Sequence, residues 1–121
     1  MNAGQFHGDR MYGADGQYLV PNQVVCSSEG RFMLKYQSDG NLVIYDVRNN
    51  NKEVWATKTN GKPAWRTYMQ GDGNFVVYSS EGNRAWASNT PATPDSKIIM
   101  QDDGNLVIYD KNDKPIWTSD K

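Results

Sequence analysis

Five side chains recur three times at one fixed spacing, Gln-x-Asp-Gly-Asn-x-Val-x-Tyr. They are Gln37, Asp39, Asn41, Val43 and Tyr45, then Gln70, Asp72, Asn74, Val76 and Tyr78, then Gln101, Asp103, Asn105, Val107 and Tyr109. Each set combines an acceptor-only carboxylate, two amides that both donate and accept, a phenol hydroxyl and one small apolar patch. Vicinal hydroxyls of a sugar alternate donors and acceptors in the same way around a small C–H face, so the set is complementary to a carbohydrate. Folding explains only part of it. Asp39-Gly40, Asp72-Gly73 and Asp103-Gly104 are the expected fillings of tight hairpin turns, and Asn and Asp can bond their own backbone. A turn does not require Gln before it, nor Val and Tyr at alternate positions after it.

The spacing of these sets fixes the architecture. Gln37, Gln70 and Gln101 are 33 and 31 residues apart, while Trp55, Trp86 and Trp117 are 31 and 31 apart. Repeats of this period mean a structural unit used several times. The two extra residues fall in "DVRNNNKE", between Tyr45 and Trp55, and read as a longer loop that costs little. In each repeat a short strand ("RFMLKYQ", "WRTYMQ", "KIIMQ") meets the Asp-Gly turn, and a second strand follows ("NLVIYD", "NFVVYS", "NLVIYD"). A second polar turn then leads to a Trp strand ("VWATKT", "AWASNT", "IWTSDK"). Short strands bounded by turn signals, with no sustained helical period, predict an all-β protein. "DRMYGADGQYLVPNQVV" is expected to supply the strands that complete the set. Alternation puts Leu42, Ile44, Phe75, Val77, Leu106 and Ile108 on a core face, joined by Tyr36, Met69, Met100 and the three repeating Trp residues. Asn41, Val43, Tyr45 and their counterparts are then expected to face outward.

Composition excludes several classes. The 121 residues fit one domain, and 13 basic against 14 acidic residues leave a net charge of -1, with no basic stripe for a phosphate backbone. No nucleic-acid partner is therefore expected. No apolar run reaches the roughly 20 residues needed to span a bilayer, so no membrane insertion is expected. "MNAGQFHGDR" has neither the charged nor the apolar region of a secretory signal. The chain is expected to be soluble, either cytoplasmic or secreted by a route not visible in the sequence. The single cysteine, Cys26, cannot form an internal disulfide and reads as a structural or incidental thiol. His7, in "QFHGDR", reads as a surface residue. Glycoside hydrolysis needs two carboxyls of unlike environment, and each motif offers one Asp beside amides with no second carboxylate at a repeating outward position, so no enzyme is expected. "QDDGN" and "DKND" do not match a calcium-loop spacing, so neither a metal nor a cofactor is expected, and "DKND" reads as a hairpin turn.

The triplicated motif, the Trp strands and the length resemble the bulb-type, or monocot, snowdrop-like mannose-binding lectin family. All five signature positions stand in all three copies, directly from about residue 30 to the end. The resemblance implies a β-prism II fold, with three four-stranded antiparallel sheets about a pseudo-threefold axis. It implies one lectin domain over 1–121, with motifs at 37–45, 70–78 and 101–109. It also implies binding of α-D-mannose and high-mannose glycans. By resemblance Asp39 and Asn41 bond the axial C2 hydroxyl, Gln37 the C2 and C3 hydroxyls and Tyr45 the C4 hydroxyl. Val43 touches the ring, and the same roles fall in turn to the other two copies. Four or five hydrogen bonds at a net ~0.5–1.5 kcal/mol each, less the cost of binding, leave about the 4 kcal/mol of a millimolar site. Three such sites can gain ~10²-fold in avidity.

The chain departs from the family at the disulfide that many members carry between the position after the motif Asp and the strand before the next motif. Those positions are Gly40 and, by counting, Trp65, whose indole is expected to fill the space instead. Absence of the crosslink forgoes ~2–4 kcal/mol. The resemblance also implies a homodimer formed by exchange of "PIWTSDK". The alternative function is an antimicrobial, toxic or protein-binding module on the same fold, which drift at the motif positions would favour and which none shows.

Overall fold

The computed structural model describes residues 7–120; the remaining ends of the expected 1–121 span, including the final residue of "PIWTSDK", lie outside the described residues. It contains β1 (Arg10–Tyr12), β2 (Tyr18–Leu19), β3 (Val24–Cys26), β4 (Phe32–Tyr36), β5 (Leu42–Asp46) and β6 (Lys52–Ala56). There follow β7 (Ala64–Met69), β8 (Phe75–Ser79), β9 (Arg84–Ala87), β10 (Lys97–Met100), β11 (Leu106–Tyr109) and β12 (Pro115–Thr118). They form three four-stranded antiparallel sheets, in the orders β3-β4-β5-β6, β2-β7-β8-β9 and β1-β10-β11-β12. This is the expected all-β prism. Each sheet is a three-strand meander from one repeat, completed by a short N-terminal strand. Those short strands are dealt out in reverse, β1 to the third repeat and β3 to the first.

The strands exist because alternate residues can be buried together. Leu34, Leu42, Ile44, Phe75, Val77, Ile98, Leu106 and Ile108 meet Tyr36, Met69 and Met100 in one core cluster between the sheets. Burying such side chains contributes roughly 1.5–3 kcal/mol each before conformational entropy is subtracted. The three repeating Trp residues are not interior as expected. They stay partly exposed and pack on the core's edge as a triangle, with centroids 5.6, 5.8 and 5.6 Å apart and planes tilted 70–78°. Edge-to-face pairs of this kind add ~0.5–1.5 kcal/mol beyond area.

Three further expectations are corrected. Val43, Val76 and Val107 leave the core cluster on the other face, yet they are only 1%, 0% and 5% exposed. Each is in a central strand with neighbours on both sides, Val43 between Lys35 and Ala56 and Val76 between Tyr68 and Ala87. His7 is buried rather than on the surface, with Nε2 2.8 Å from the Tyr18 carbonyl oxygen. The indole of Trp65 does not fill the place of a crosslink to Gly40. A Cβ on Gly40 would stand 2.0 Å from the Lys62 carbonyl oxygen, so backbone already occupies that space, and Trp65 is 43% exposed. Cys26 is half-buried on β3, and burial pushes its thiol up, as suits an unreactive side chain.

Candidate functional site

The motif is built on a turn one residue longer than the Asp-Gly pair suggests. Gly40 N donates to Gln37 O at 3.0 Å and Gln37 N to Asn41 O at 2.8 Å, and φ is positive at Gly40 but not at Asp39. This is a type I turn closed by a left-handed glycine, not a two-residue turn. Gly73 (φ 95) and Gly104 (φ 91) close the same turn in the other copies. Asp39 Oδ1 accepts Asn41 N at 2.9 Å, and Asp72 and Asp103 repeat the bond at 2.9 Å. One carboxylate oxygen therefore holds the turn, and the other, on an exposed Asp, accepts from Gln37 and Gln101 at 3.2 Å in the first and third copies.

Side chains converge over this frame in all three copies. Gln37 Nε2 donates to Asp39 at 3.2 Å while Gln37 Oε1 accepts the hydroxyl of Tyr45. Gln70 bonds Asp72 at 3.2 Å and accepts from Tyr78 at 2.5 Å, and Gln101 links Asp103 to Tyr109 in the same way. The register of each Trp strand slips just before the motif tyrosine, between Ile44 and Tyr45, Val77 and Tyr78, and Ile108 and Tyr109. A bulge re-aims a side chain, and here it recurs at Tyr45, Tyr78 and Tyr109. Gln, Asp and Tyr of each copy are thus joined by side-chain hydrogen bonds, while Asn follows on the same turn and the buried valine lies between Asn and Tyr on the same strand face.

Residues outside the motif complete the frame. Asn41 Oδ1 accepts from Thr57 Oγ1 at 3.3 Å and Thr59 N at 3.2 Å, so the Nδ2 amide is the end available to a ligand. Asn74 is held likewise by Ser88 Oγ at 3.1 Å and Thr90 N at 3.2 Å, and it is more deeply buried than Asn41 or Asn105. Thr59 and Thr90 also donate to the carbonyls of Gly40 and Gly73, at 2.6 and 2.8 Å. The paired hydroxyls two and four residues after Trp55 and Trp86, in "WATKT" and "WASNT", were the sequence signal for these clamps. The third turn is braced from the chain's beginning instead: Ser28 Oγ and Glu29 N donate to Asp102 at 2.7 and 2.9 Å. The Ser28 bond, then the Glu29 bond, hold the Asp102 carboxyl below the ordinary carboxylate value.

The rims of the sites differ. Met33, Lys35 and Asn51 line a cleft with Gln37 and Tyr45, so the longer loop extends the first site rather than covering it. Around the second stand Trp65, Arg66, Tyr68 and Tyr18.

No family model and no curated protein matches the chain. Among solved structures it is similar to monomeric monocot mannose-binding lectins from Gastrodia elata, with 38% identity and a TM-score of 0.82 over 94% of this chain and 98% of that one. It is also similar to the mannose-specific agglutinin from snowdrop (Galanthus nivalis) bulbs, solved with methyl-α-D-mannoside. That match has 37% identity and a TM-score of 0.74 over 84% of this chain and 88% of that one. A Marasmius oreades lectin aligns with 26% identity and a TM-score of 0.84 over 94% and 92% of the two chains. The three sheets are those of the β-prism II fold. Because the Gastrodia elata match is well above 30% identical along nearly the whole of both chains, this protein belongs to the monocot, snowdrop-like mannose-binding lectin family.

Proposed function

We propose that this chain is a lectin that binds α-D-mannose and mannose-containing glycans at three sites, with no catalytic step. The sites are Gln37, Asp39, Asn41, Val43 and Tyr45; Gln70, Asp72, Asn74, Val76 and Tyr78; and Gln101, Asp103, Asn105, Val107 and Tyr109. The observation that carries the reading is the shared hydrogen-bonded cluster. Gln, Asp and Tyr are tied together before any ligand arrives, so little side-chain entropy remains to be lost on binding. The snowdrop relative, solved with methyl-α-D-mannoside, adds support from outside the chain.

The test is retention on a mannose matrix, with elution by free mannose and not by galactose. Combined Asp39→Asn, Asp72→Asn and Asp103→Asn substitutions keep the oxygen that accepts the turn's N–H and replace the outer acceptor with a donor. Retention is expected to vanish while the β circular-dichroism spectrum is unchanged. A wild-type protein that flows through defeats the reading.

A homodimer by exchange of "PIWTSDK" is a separate proposal that rests on the family resemblance alone. In the described chain Pro115–Thr118 pairs with its own Leu106–Tyr109 strand, and the Gastrodia elata relatives are monomeric lectins, so exchange of that strand needs a second chain to take its place. Size-exclusion chromatography with light scattering is expected to give twice 13.7 kDa for the exchanged form. A single 13.7 kDa species removes it.

A further inference from the structure

We propose that a β-bulge at Trp65 builds a second saccharide subsite beside the second motif, taking the sugar ring linked to the one held by Gln70, Asp72 and Tyr78. It rests on the reading of the motif as a mannose site and extends that reading from one ring to two.

Ala64 pairs with Ser79 and Arg66 with Tyr78, so Trp65 is an extra residue in its strand. The corresponding strands of the first and third repeats run in unbroken register, Met33 with Tyr45 and Lys97 with Tyr109. A bulge leaves one residue unpaired in the ladder, and here the cost is offset from the next sheet. Trp65 N donates to the Tyr36 hydroxyl at 2.9 Å, and that hydroxyl in turn donates to the Tyr78 carbonyl at 3.2 Å. Tyr36 occupies the position of Met69 and Met100 in the other repeats, so the only repeat with a hydroxyl there is the one whose hydroxyl holds the bulge.

The bulge turns an indole outward. Trp65 is 43% exposed, and its ring lies 6.5 Å from that of Tyr78, a motif side chain. It is held in place by neighbours on the same side: the Arg66 guanidinium lies over Trp65 at 4.9 Å and over Tyr18 at 4.4 Å, and Nη1 donates to the Tyr68 hydroxyl at 2.8 Å. Cation–π contacts and a charge-assisted bond on one guanidinium fix the wall rigidly. An indole fixed in this way and 43% exposed leaves π surface beyond the Arg66 contact for the C–H face of a pyranose, and the arginine N–H groups can donate to its ring substituents. Tyr12 and Val54 are the other large apolar side chains this exposed among the described residues.

The experiment is a ¹⁵N titration of the wild-type protein with methyl-α-D-mannoside and, separately, with an α-linked mannotriose. The Trp65 indole Nε1–H signal is identified by its loss in Trp65→Ala. That signal is expected to follow the trisaccharide and not the monosaccharide. Trp65→Ala is expected to weaken the trisaccharide at the second site about fivefold, leaving methyl-α-D-mannoside affinity unchanged. Tyr36→Phe, which frees the bulge but keeps the indole, should give a smaller loss. If the monosaccharide moves the Gln70 and Tyr78 signals but the trisaccharide leaves Trp65 in place, the subsite falls and the motif reading stands. If the monosaccharide moves no motif signal, both fall.

Discussion

At the first motif Lys35, Met33 and Asn51 stand around Gln37 and Tyr45, whereas at the second the corresponding ground is held by Tyr68, Arg66 and Trp65. Beneath these unlike rims the two sites share a type I turn, a buried valine, an asparagine clamped by two hydroxyl-bearing residues and a tyrosine bonded through glutamine. The contrast separates two kinds of constraint. Residues that satisfy backbone groups or sit buried beneath the motif serve the fold as well as the surface above it, so the frame repeats. Rim side chains are less tied to the frame and differ between the first two motifs, so each proposed site has surroundings of its own.

The largest expected effect tests whether the frames are as alike as they look. A Cβ at Gly40 would meet the Lys62 carbonyl oxygen at 2.0 Å, and one at Gly73 the Thr93 carbonyl oxygen at 2.3 Å. Both are contacts with backbone, at a φ that L residues rarely adopt. Gly40→Ala and Gly73→Ala should therefore each destabilise by about 3 kcal/mol or more, left-handed strain adding to overpacking. Gly104 has a similar φ, but its Cβ would meet the Phe32 ring at 3.0 Å, and a side chain can give way. Gly104→Ala should cost roughly 1–2 kcal/mol. Urea denaturation of the three variants decides it, and a Gly73→Ala as mild as Gly104→Ala would break the claim of a rigid common frame.

What the sequence disclosed follows the same division. The repeat of Gln, Asp, Asn, Val and Tyr was legible because it is spelled three times, and the core face because Leu42, Ile44 and their counterparts alternate with it. The turn type was not, since Asp-Gly serves a two-residue turn and a type I turn with a left-handed glycine equally well, and only the Gly40 N to Gln37 O bond distinguishes them. Nor was the burial of Val43 and Val76, because alternation assigns a face and does not say how exposed that face is. The Trp65 bulge depends on Tyr36, 29 residues earlier and in another sheet, a contact no local pattern encodes. His7 was misplaced for the same reason, its partner being the carbonyl of Tyr18.

The smallest expected effect is also the most selective between the two rims. Asp46 ends the strand that carries the first motif, and the second repeat has Ser79 in its place. Its carboxylate accepts from Arg31 at 3.1 and 2.9 Å and from Arg48 N at 3.3 Å, at the root of the loop that brings Asn51 to the first site. The Arg31 bond, the largest influence, lowers its pKa below the ordinary 3.8. A depressed carboxyl contributes stability that is present above the unfolded value and lost as pH falls through the lower folded one. Acid below about pH 3.8 should therefore loosen the loop, shifting the Arg48 and Asn51 amide signals while those of Arg66 and Trp65 hold. Asp46→Asn should remove that titration and leave the loop signals near their acid positions at neutral pH. Equal movement at both rims would show that acid acts on the prism as a whole and that the first rim has no switch of its own.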